Sequence, residues 1–289
     1  MRIANNAGRL SLVEIDRILD VERASGGSFD SDPAAAFARW DELATWAASV
    51  HVSTHPDATP LEDATLLAPS PLPRQVIGIG LNYADHAAES GLSIPTEPVV
   101  FTKFPSSVTG PDVDVILPGP TVDWEAELVV VIAKGGRHIP LDEARSHVAG
   151  FTTGQDLSER TVQWQGQPAQ FSIGKSFEKF APTGPFIVTL DEFAEPDRLR
   201  ITATIVSADG TETRVQDGET DHLIFGIDEL VSRLSETVEL LPGDLIFTGT
   251  PPGVGASRDP KRFLVAGETL ITEIEGIGRI TQRFVDRSA

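Results

Sequence analysis

A strand-dominated mixed α/β fold is what this sequence predicts, on three observations. From residue 75 onward, short runs rich in Val, Ile, Phe and Thr recur, as in QVIGIGLNY, VVFTKF, ELVVVIA and LRITATIVSA. Such runs read as strands. Helical patterns are fewer, chiefly LDEARSHVAG and FGIDELVSRLSETV. The two kinds of segment do not alternate regularly, which argues against the doubly wound and barrel arrangements built from βαβ units.

The elements follow in chain order. RIANNAGRLSLVEID reads as a strand, a turn and a second strand. SDPAAAFARWDELATWAASV reads as a helix, with Ser31 or Asp32 as N-cap and Pro33 at the first helical position. Pro69, Pro71 and Pro73 punctuate a linker. Residues 1–70 are therefore expected to form a small N-terminal domain and residues 71–289 a larger catalytic one. The remaining strand-like runs are GPFIVTL, DLIFTGT and ETLITEIEGIGRITQRF. Asp228 and Glu229 stand near the start of the second helical pattern.

Composition narrows the function. The chain has 289 residues, 40% of them hydrophobic, enough for a large core. Lys and Arg number 23 against 43 Asp and Glu, a formal charge of −20. No basic face for nucleic acid is evident, and an anionic substrate would need a local cationic pocket. There is no cysteine, which excludes disulfides, thiolate metal sites and cysteine nucleophiles. No apolar run approaches the roughly 18 residues of a membrane span. The N-terminus lacks the apolar core of a signal peptide. A cytoplasmic enzyme is the expectation.

The most informative segment is VDWEAELVVVIA. Asp123, Glu125 and Glu127 alternate through it. Residues two apart on a strand share a face, so the three carboxylates are expected to project together. The run from Leu128 to Ala133 is apolar without alternation, which suggests a strand covered on both sides. Charges beside such a strand are costly unless paired or bound to a cation. A hard divalent ion with oxygen ligands, Mg2+, Mn2+ or Ca2+, would resolve the conflict. The alternative is an exposed strand end with solvated acids.

Five other stretches are candidates for chemistry. In GIGLNYADHAAESG the third position of a dinucleotide fingerprint is Tyr83 rather than Gly, so that reading fails. Tyr83 remains a candidate substrate contact. His86 and Glu89 lie three apart, and on a helical turn a carboxylate there would orient the imidazole as a general base; a surface pair is the alternative. In GQDLSERTVQWQG, Asp156, Arg160 and Gln163 fall at i, i+4 and i+7, expected on one helical face. Asp156 is a candidate metal ligand and Arg160 a candidate fork for a substrate carboxylate, unless the two form an ordinary salt bridge. GKS at residues 174–176 lacks the earlier P-loop glycine, Ala169 standing there. Lys175 is read instead as a cation for metal or substrate, and Lys179 as a surface residue. Lys103, after the apolar run of FTKFPSS, is read as structural. The turn after DLIF, with Thr248 and Thr250, offers N–H groups and hydroxyls to an oxyanion.

Taken together and in this order, GIGLNYADHAAE, VDWEAELVVVI, GQDLSERTVQ, GKSFEKFAPTGP and LLPGDLIFTGTPPGVG, with a GIG near the C-terminus, resemble the fumarylacetoacetate hydrolase superfamily across roughly residues 75–285. The resemblance implies a mixed β-sandwich roll behind a small N-terminal domain, and a homodimer. It implies Mg2+ or Mn2+ held by Glu125, Glu127 and Asp156. It assigns His86 and Glu89 to a catalytic dyad on a lid, residues 84–92, that closes over substrate. It places Lys175 beside the metal, and Arg160, Gln163 and Thr250 against substrate. Glu178 departs from the Asp often found there, and Ser207 to Gly210 replace an Asn-Gly turn; neither touches the expected metal ligands. The reaction implied is hydrolysis of a C–C bond in an acylpyruvate or 2,4-diketo acid of fumarylpyruvate type. Oxaloacetate decarboxylation, hydroxymuconate-type isomerisation and dehydration of a sugar-derived 2-oxo acid are alternatives on the same site. A silent binding protein on this fold is the reading from another class.

Overall fold

The computed structural model describes residues 1–85 and 94–287. The expected strand-dominated mixed fold is what it shows, as two large sheets and one two-stranded pair, with few helices. The chain opens with β1 (Arg2–Asn6), β2 (Arg9–Glu14) and β3 (Arg17–Asp20), an antiparallel meander. A 3-10 segment, Pro33–Arg39, and α1 (Trp40–Ala47) follow. Asp32 caps the first of these by accepting from the Ala34 N–H at 2.9 Å. The single helix expected here is thus two pieces. Arg39, at φ −134° and ψ 40°, leaves helical geometry between them.

Next come β4 (Val76–Gly80), β5 (Val99–Thr102), β6 (Asp112–Ile116), β7 (Ala126–Ile132) and β8 (Val148–Gln155). Two one-turn helices, α2 (Arg160–Gln163) and α3 (Phe171–Gly174), precede β9 (Ala181–Val188). The chain ends with β10 (Arg200–Val206), β11 (Glu212–Glu219), α4 (Ile227–Thr237), β12 (Leu245–Phe247), β13 (Thr269–Ile274) and β14 (Gly278–Val285).

The larger sheet runs β3-β2-β1-β9-β8-β7-β12-β4-β5, so the leading meander is continuous with the rest through the antiparallel β1–β9 pair. The smaller sheet runs β11-β10-β13-β14-β6. Each holds a parallel pair among antiparallel ones, β12–β4 and β14–β6, and the larger sheet has a second where Val108–Thr109 run parallel to the start of β9.

Strand β7 explains the non-alternating apolar run. Leu128, Val130 and Ile132 pack into one core with Ile201, Leu270 and Phe284 of the smaller sheet. Val129, Val131 and Ala133 pack into a second core with Ile3, Leu12 and Leu43 of the leading segment. Both faces of the strand are covered, so no polar position alternates in.

Three local expectations are corrected. LDEARSHVAG is not a helix: only Ala144–His147 form a 3-10 turn, and Val148 onward is β8. That strand bonds to β7 and β9 on both edges, and tertiary pairing overrides local propensity. Asp156, Arg160 and Gln163 do not share a helix, because Asp156 follows β8 and α2 begins at Arg160. The acidic strand is also broken. Val122–Asp123 pair with Ser158–Glu159, and β7 starts only at Ala126. Among the described residues no helix is long and apolar enough to cross a membrane.

Candidate active site

Register builds the site. In the β7–β8 hairpin Ala126 faces Gln155 and Glu127 faces Gly154. The Asp156 N–H continues the pairing by donating to the Glu125 carbonyl at 2.9 Å. Residues about 30 apart in sequence thus meet at one strand end. Glu125, Glu127 and Asp156 are all buried there, with carboxylate oxygens within 4.8 Å of one another.

Three cations hold this cluster. Lys175 Nζ donates to Glu125 Oε2 at 2.7 Å, Asp156 Oδ2 at 2.6 Å and Ser158 Oγ at 2.8 Å. Lys103 Nζ donates to Asp156 Oδ1 at 2.5 Å and to the Lys175 carbonyl. Arg160 donates from Nε to Asp123 Oδ2 at 2.9 Å, from Nη1 to Gln163 Oε1 at 2.8 Å and from Nη2 to Glu125 Oε1 at 2.7 Å. Asp123 also accepts from the Gly255 and Ala256 N–H groups at 2.7 and 2.9 Å. It therefore organises the 253–258 loop rather than joining the triad.

Counted together, Asp123, Glu125, Glu127 and Asp156 outnumber Lys103, Lys175 and Arg160 by one charge. The surplus falls on Glu127. No Lys or Arg among the described residues forms an ion pair with it. Among the described residues its carboxylate accepts one hydrogen bond, from the Gly249 N–H at 2.8 Å. Gly249 has φ +104°, and a Cβ there would lie 2.8 Å from that of Asn82, so glycine is required for this approach. Burial, then the charges of Asp156 and Glu125, push the Glu127 carboxyl well above the usual carboxylate range. A buried, underpaired carboxylate between two others fits a divalent cation with oxygen ligands. Burial lowers Lys175, but Asp156 and Glu125 outweigh it, and its pKa is raised. Burial does prevail at Lys103, which is lowered.

Two of the three carboxylates, Glu125 and Glu127, open onto a cavity of about 680 Å³, and Asp156 lies behind them. Glu125, Glu127, Arg160, Gln163, Lys175 and Thr250 all line it. One wall is aromatic, with Phe101, Trp164 and Phe171; Trp164 meets Phe171 edge-on at 5.2 Å. The Thr250 hydroxyl is already committed, donating to the Ala126 carbonyl at 2.9 Å and accepting from Gln216 Nε2 at 2.7 Å. Tyr83 does not line the cavity. Its ring is buried and its hydroxyl has no hydrogen-bond partner among the described residues. His86 and Glu89 lie outside the described residues, as does most of the 84–92 segment.

Sequence reasoning missed several supports. Lys103, read as structural, is fully buried against Asp156. Gln155 accepts from the Glu125 N–H at 2.9 Å, and Gln216 from the Ala126 N–H at 3.0 Å. Asn82 holds the turn after β12, donating to the Thr248 carbonyl at 2.8 Å. A lysine closing an apolar run was the one available signal; the two glutamines gave none.

A two-sheet fold carrying a buried three-carboxylate centre at a strand end defines an enzyme class with a place for a divalent cation. The chain belongs to the fumarylacetoacetate hydrolase superfamily: the family model described as fumarylacetoacetate (FAA) hydrolase C-terminal matches residues 75–285. A human protein named oxaloacetate tautomerase FAHD2A, mitochondrial, is 42% identical over 228 residues, covering 78% of this chain and 71% of that one. A 2,4-didehydro-3-deoxy-L-rhamnonate hydrolase from Sphingomonas sp. (strain SKA58) is 45% identical over 212 residues, 72% of each chain. The solved structure of maleylpyruvate hydrolase from Sphingobium sp. SYK-6, in complex with manganese(II) and pyruvate, superposes with a TM-score of 0.80 at 26% identity, covering 99% of both chains.

Proposed function

We propose that this protein hydrolyses a C–C bond in an acylpyruvate or 2,4-diketo acid, with Mg2+ or Mn2+ held by Glu125, Glu127 and Asp156. The observation that carries the reading is the cluster of three buried carboxylates, one of them without a cationic partner among the described residues, two of which, Glu125 and Glu127, line a cavity of substrate size. The hydrolase relatives, one of them solved with manganese and pyruvate, support it. A bound divalent ion would polarise the 2-oxo acid oxygens as a Lewis acid.

The chain's own groups supply the rest. His86, oriented by Glu89, takes a proton from water. The resulting hydroxide adds to C4 of the diketo acid. The C3–C4 bond then breaks, its electron pair moves into the C2–C3 enolate, and the proton on His86 returns to C3. The products are a carboxylic acid and a methyl 2-oxo acid. The raised pKa of Lys175 keeps it cationic, so it stabilises developing negative charge rather than acting as a base. Arg160 fixes Glu125 and Asp123 from the cavity edge. The Phe101, Trp164 and Phe171 wall limits access of bulk water.

A second reading, keto–enol tautomerisation or decarboxylation of oxaloacetate, is favoured by the 42% identity to the human tautomerase. It shares the enolate and omits the attacking water. One assay separates the two. Acylpyruvates and oxaloacetate are followed by diketo and enol absorbance, with EDTA and then with Mg2+ or Mn2+ restored. Hydrolysis predicts metal-dependent release of pyruvate and a carboxylic acid, lost by about a hundredfold or more in His86→Ala. Turnover of oxaloacetate alone selects the second reading. Hydrolysis undiminished in His86→Ala removes the dyad from the mechanism.

A further inference from the structure

Seven charged residues line the cavity: Glu125, Glu127, Arg160, Lys175, Arg258, Asp259 and Lys261. Arg160 and Lys175 are paired with carboxylates. Arg258 and Lys261 form no ion pair with any described residue, although Asp259 lies between them in sequence and lines the same wall. In a chain of net charge −20, two unpaired cations on one cavity wall stand out.

The same loop provides an internal control. Arg258 and Arg262 both sit over the Trp124 ring, each 5.6 Å from its centroid. Arg262 is neutralised by Glu268, with Nη1 2.9 Å from Oε2. Arg258 has no such carboxylate among the described residues, and its hydrogen bonds there go to backbone. Its Nη2 donates to the Val215 carbonyl at 2.8 Å and the Gly253 carbonyl at 3.0 Å, and its Nε donates to the Gly253 carbonyl at 3.3 Å. These bonds fix the guanidinium without cancelling its charge, and Nη1 makes none among the described residues. Lys261, three residues on, is exposed.

We propose that Arg258 and Lys261 form a subsite for a second, distal carboxylate, so that the preferred substrate is a dicarboxylic 2-oxo or 2,4-diketo acid. This rests on reading the carboxylate floor as the end that takes the 2-oxo acid group. The arrangement suits a dianion. A fixed guanidinium with a free donor gives direction, and an exposed ammonium adds long-range attraction against the negative surface. A neutral polyhydroxy tail would leave both charges unmatched.

The test uses binding of unreactive probes to the Mg2+-loaded protein by calorimetry. Oxalate probes the floor. 2-Oxoglutarate and 2-oxoadipate carry a distal carboxylate, and 2-oxopentanoate and 2-oxohexanoate are their neutral counterparts. The wild type should bind at least one dicarboxylate about tenfold or more tighter than its neutral counterpart, the effect of a hydrogen-bonded charge. That preference should shrink as ionic strength rises. Arg258→Gln should remove most of it and Lys261→Gln part of it, with oxalate affinity unchanged as a check on the fold. Lys261 makes no bond to Val215 or Gly253, so Lys261→Glu, which should reverse its share, tests the wall even where Arg258→Gln disturbs the loop. Binding of both classes without preference, or a preference surviving the double variant, overturns the subsite while leaving the floor intact. Failure of oxalate and every 2-oxo acid to bind overturns the subsite and the reading of the floor together.

Discussion

At the floor of the cavity Lys103, Lys175 and Arg160 pair with three of four clustered carboxylates, whereas on the 254–261 wall Arg258 and Lys261 form no ion pair with any described carboxylate. The difference teaches what each end is built to receive. Floor cations are consumed in organising acids, and what remains there is the Glu127 carboxyl, with no cationic partner among the described residues. Wall cations are fixed by carbonyls or left in solvent, and what remains there is positive charge. A cation fits the first end and an anion the second.

The sharpest way to break this comparison is to remove that carboxyl. Glu127→Ala should abolish tight Mn2+ binding by calorimetry and reduce metal-dependent turnover at least about a hundredfold. Unchanged Mn2+ affinity would take Glu127 out of the metal set. Next in size is Lys103→Met. It strips a buried cation from Asp156 and should cost about 3 kcal/mol or more of unfolding free energy in denaturant titrations. A change under about 0.5 kcal/mol would mean that Lys175 alone suffices to hold Asp156.

A pH series sharpens the same point. The folded-state pKa of Glu127 is raised, so the metal-free folded chain holds a proton that the unfolded chain releases near the ordinary glutamate value. The stabilising contribution is present in full below that ordinary value and is lost as pH rises through the raised one. Metal-free stability should therefore fall across this window, with a slope of up to about 1.4 kcal/mol per pH unit from this group. Glu127→Gln should remove that component. Mn2+ affinity should rise over the same window, because binding displaces the proton. A metal-free stability curve identical in wild type and Glu127→Gln would contradict the assignment.

The smallest effect is expected far from the cavity. Arg283 pairs with Asp112 and Asp114 between β14 and β6, with Nε 2.7 Å from Asp114 Oδ1, but all three side chains are about half exposed. Arg283→Gln should cost under about 1 kcal/mol. A larger loss in denaturant titrations would show that surface pairing tunes this sheet more than burial does.

Legibility followed the range of the interactions. The strands of the larger sheet could be read because apolar, β-branched runs are a local signal, and β7 was read as covered on both faces for the right reason. Strand β8 was partly misread as helix, because VAGFTTGQ becomes a strand by pairing on both edges. Glu125, Glu127, Asp156 and Lys175 stood out as charged residues beside apolar runs within motifs that resemble a family. Lys103 did not, since a lysine after a strand looks the same whether it ends in water or on a buried aspartate.

The sequence by itself determined the strand-rich class, the family, and the acidic and basic residues able to make a metal-assisted site. Those follow from side-chain chemistry and short-range pattern. Only the tertiary structure decided which charges cancel. It set Arg160 on Asp123 and Glu125, placed two lysines on Asp156, left Glu127 without a cation among the described residues, and put Arg258 on backbone carbonyls. The reason is physical. Pairing depends on distances of a few ångströms between residues 19 to 132 positions apart, and the register of β7 with β8, together with the 249–262 loop, sets many of those distances.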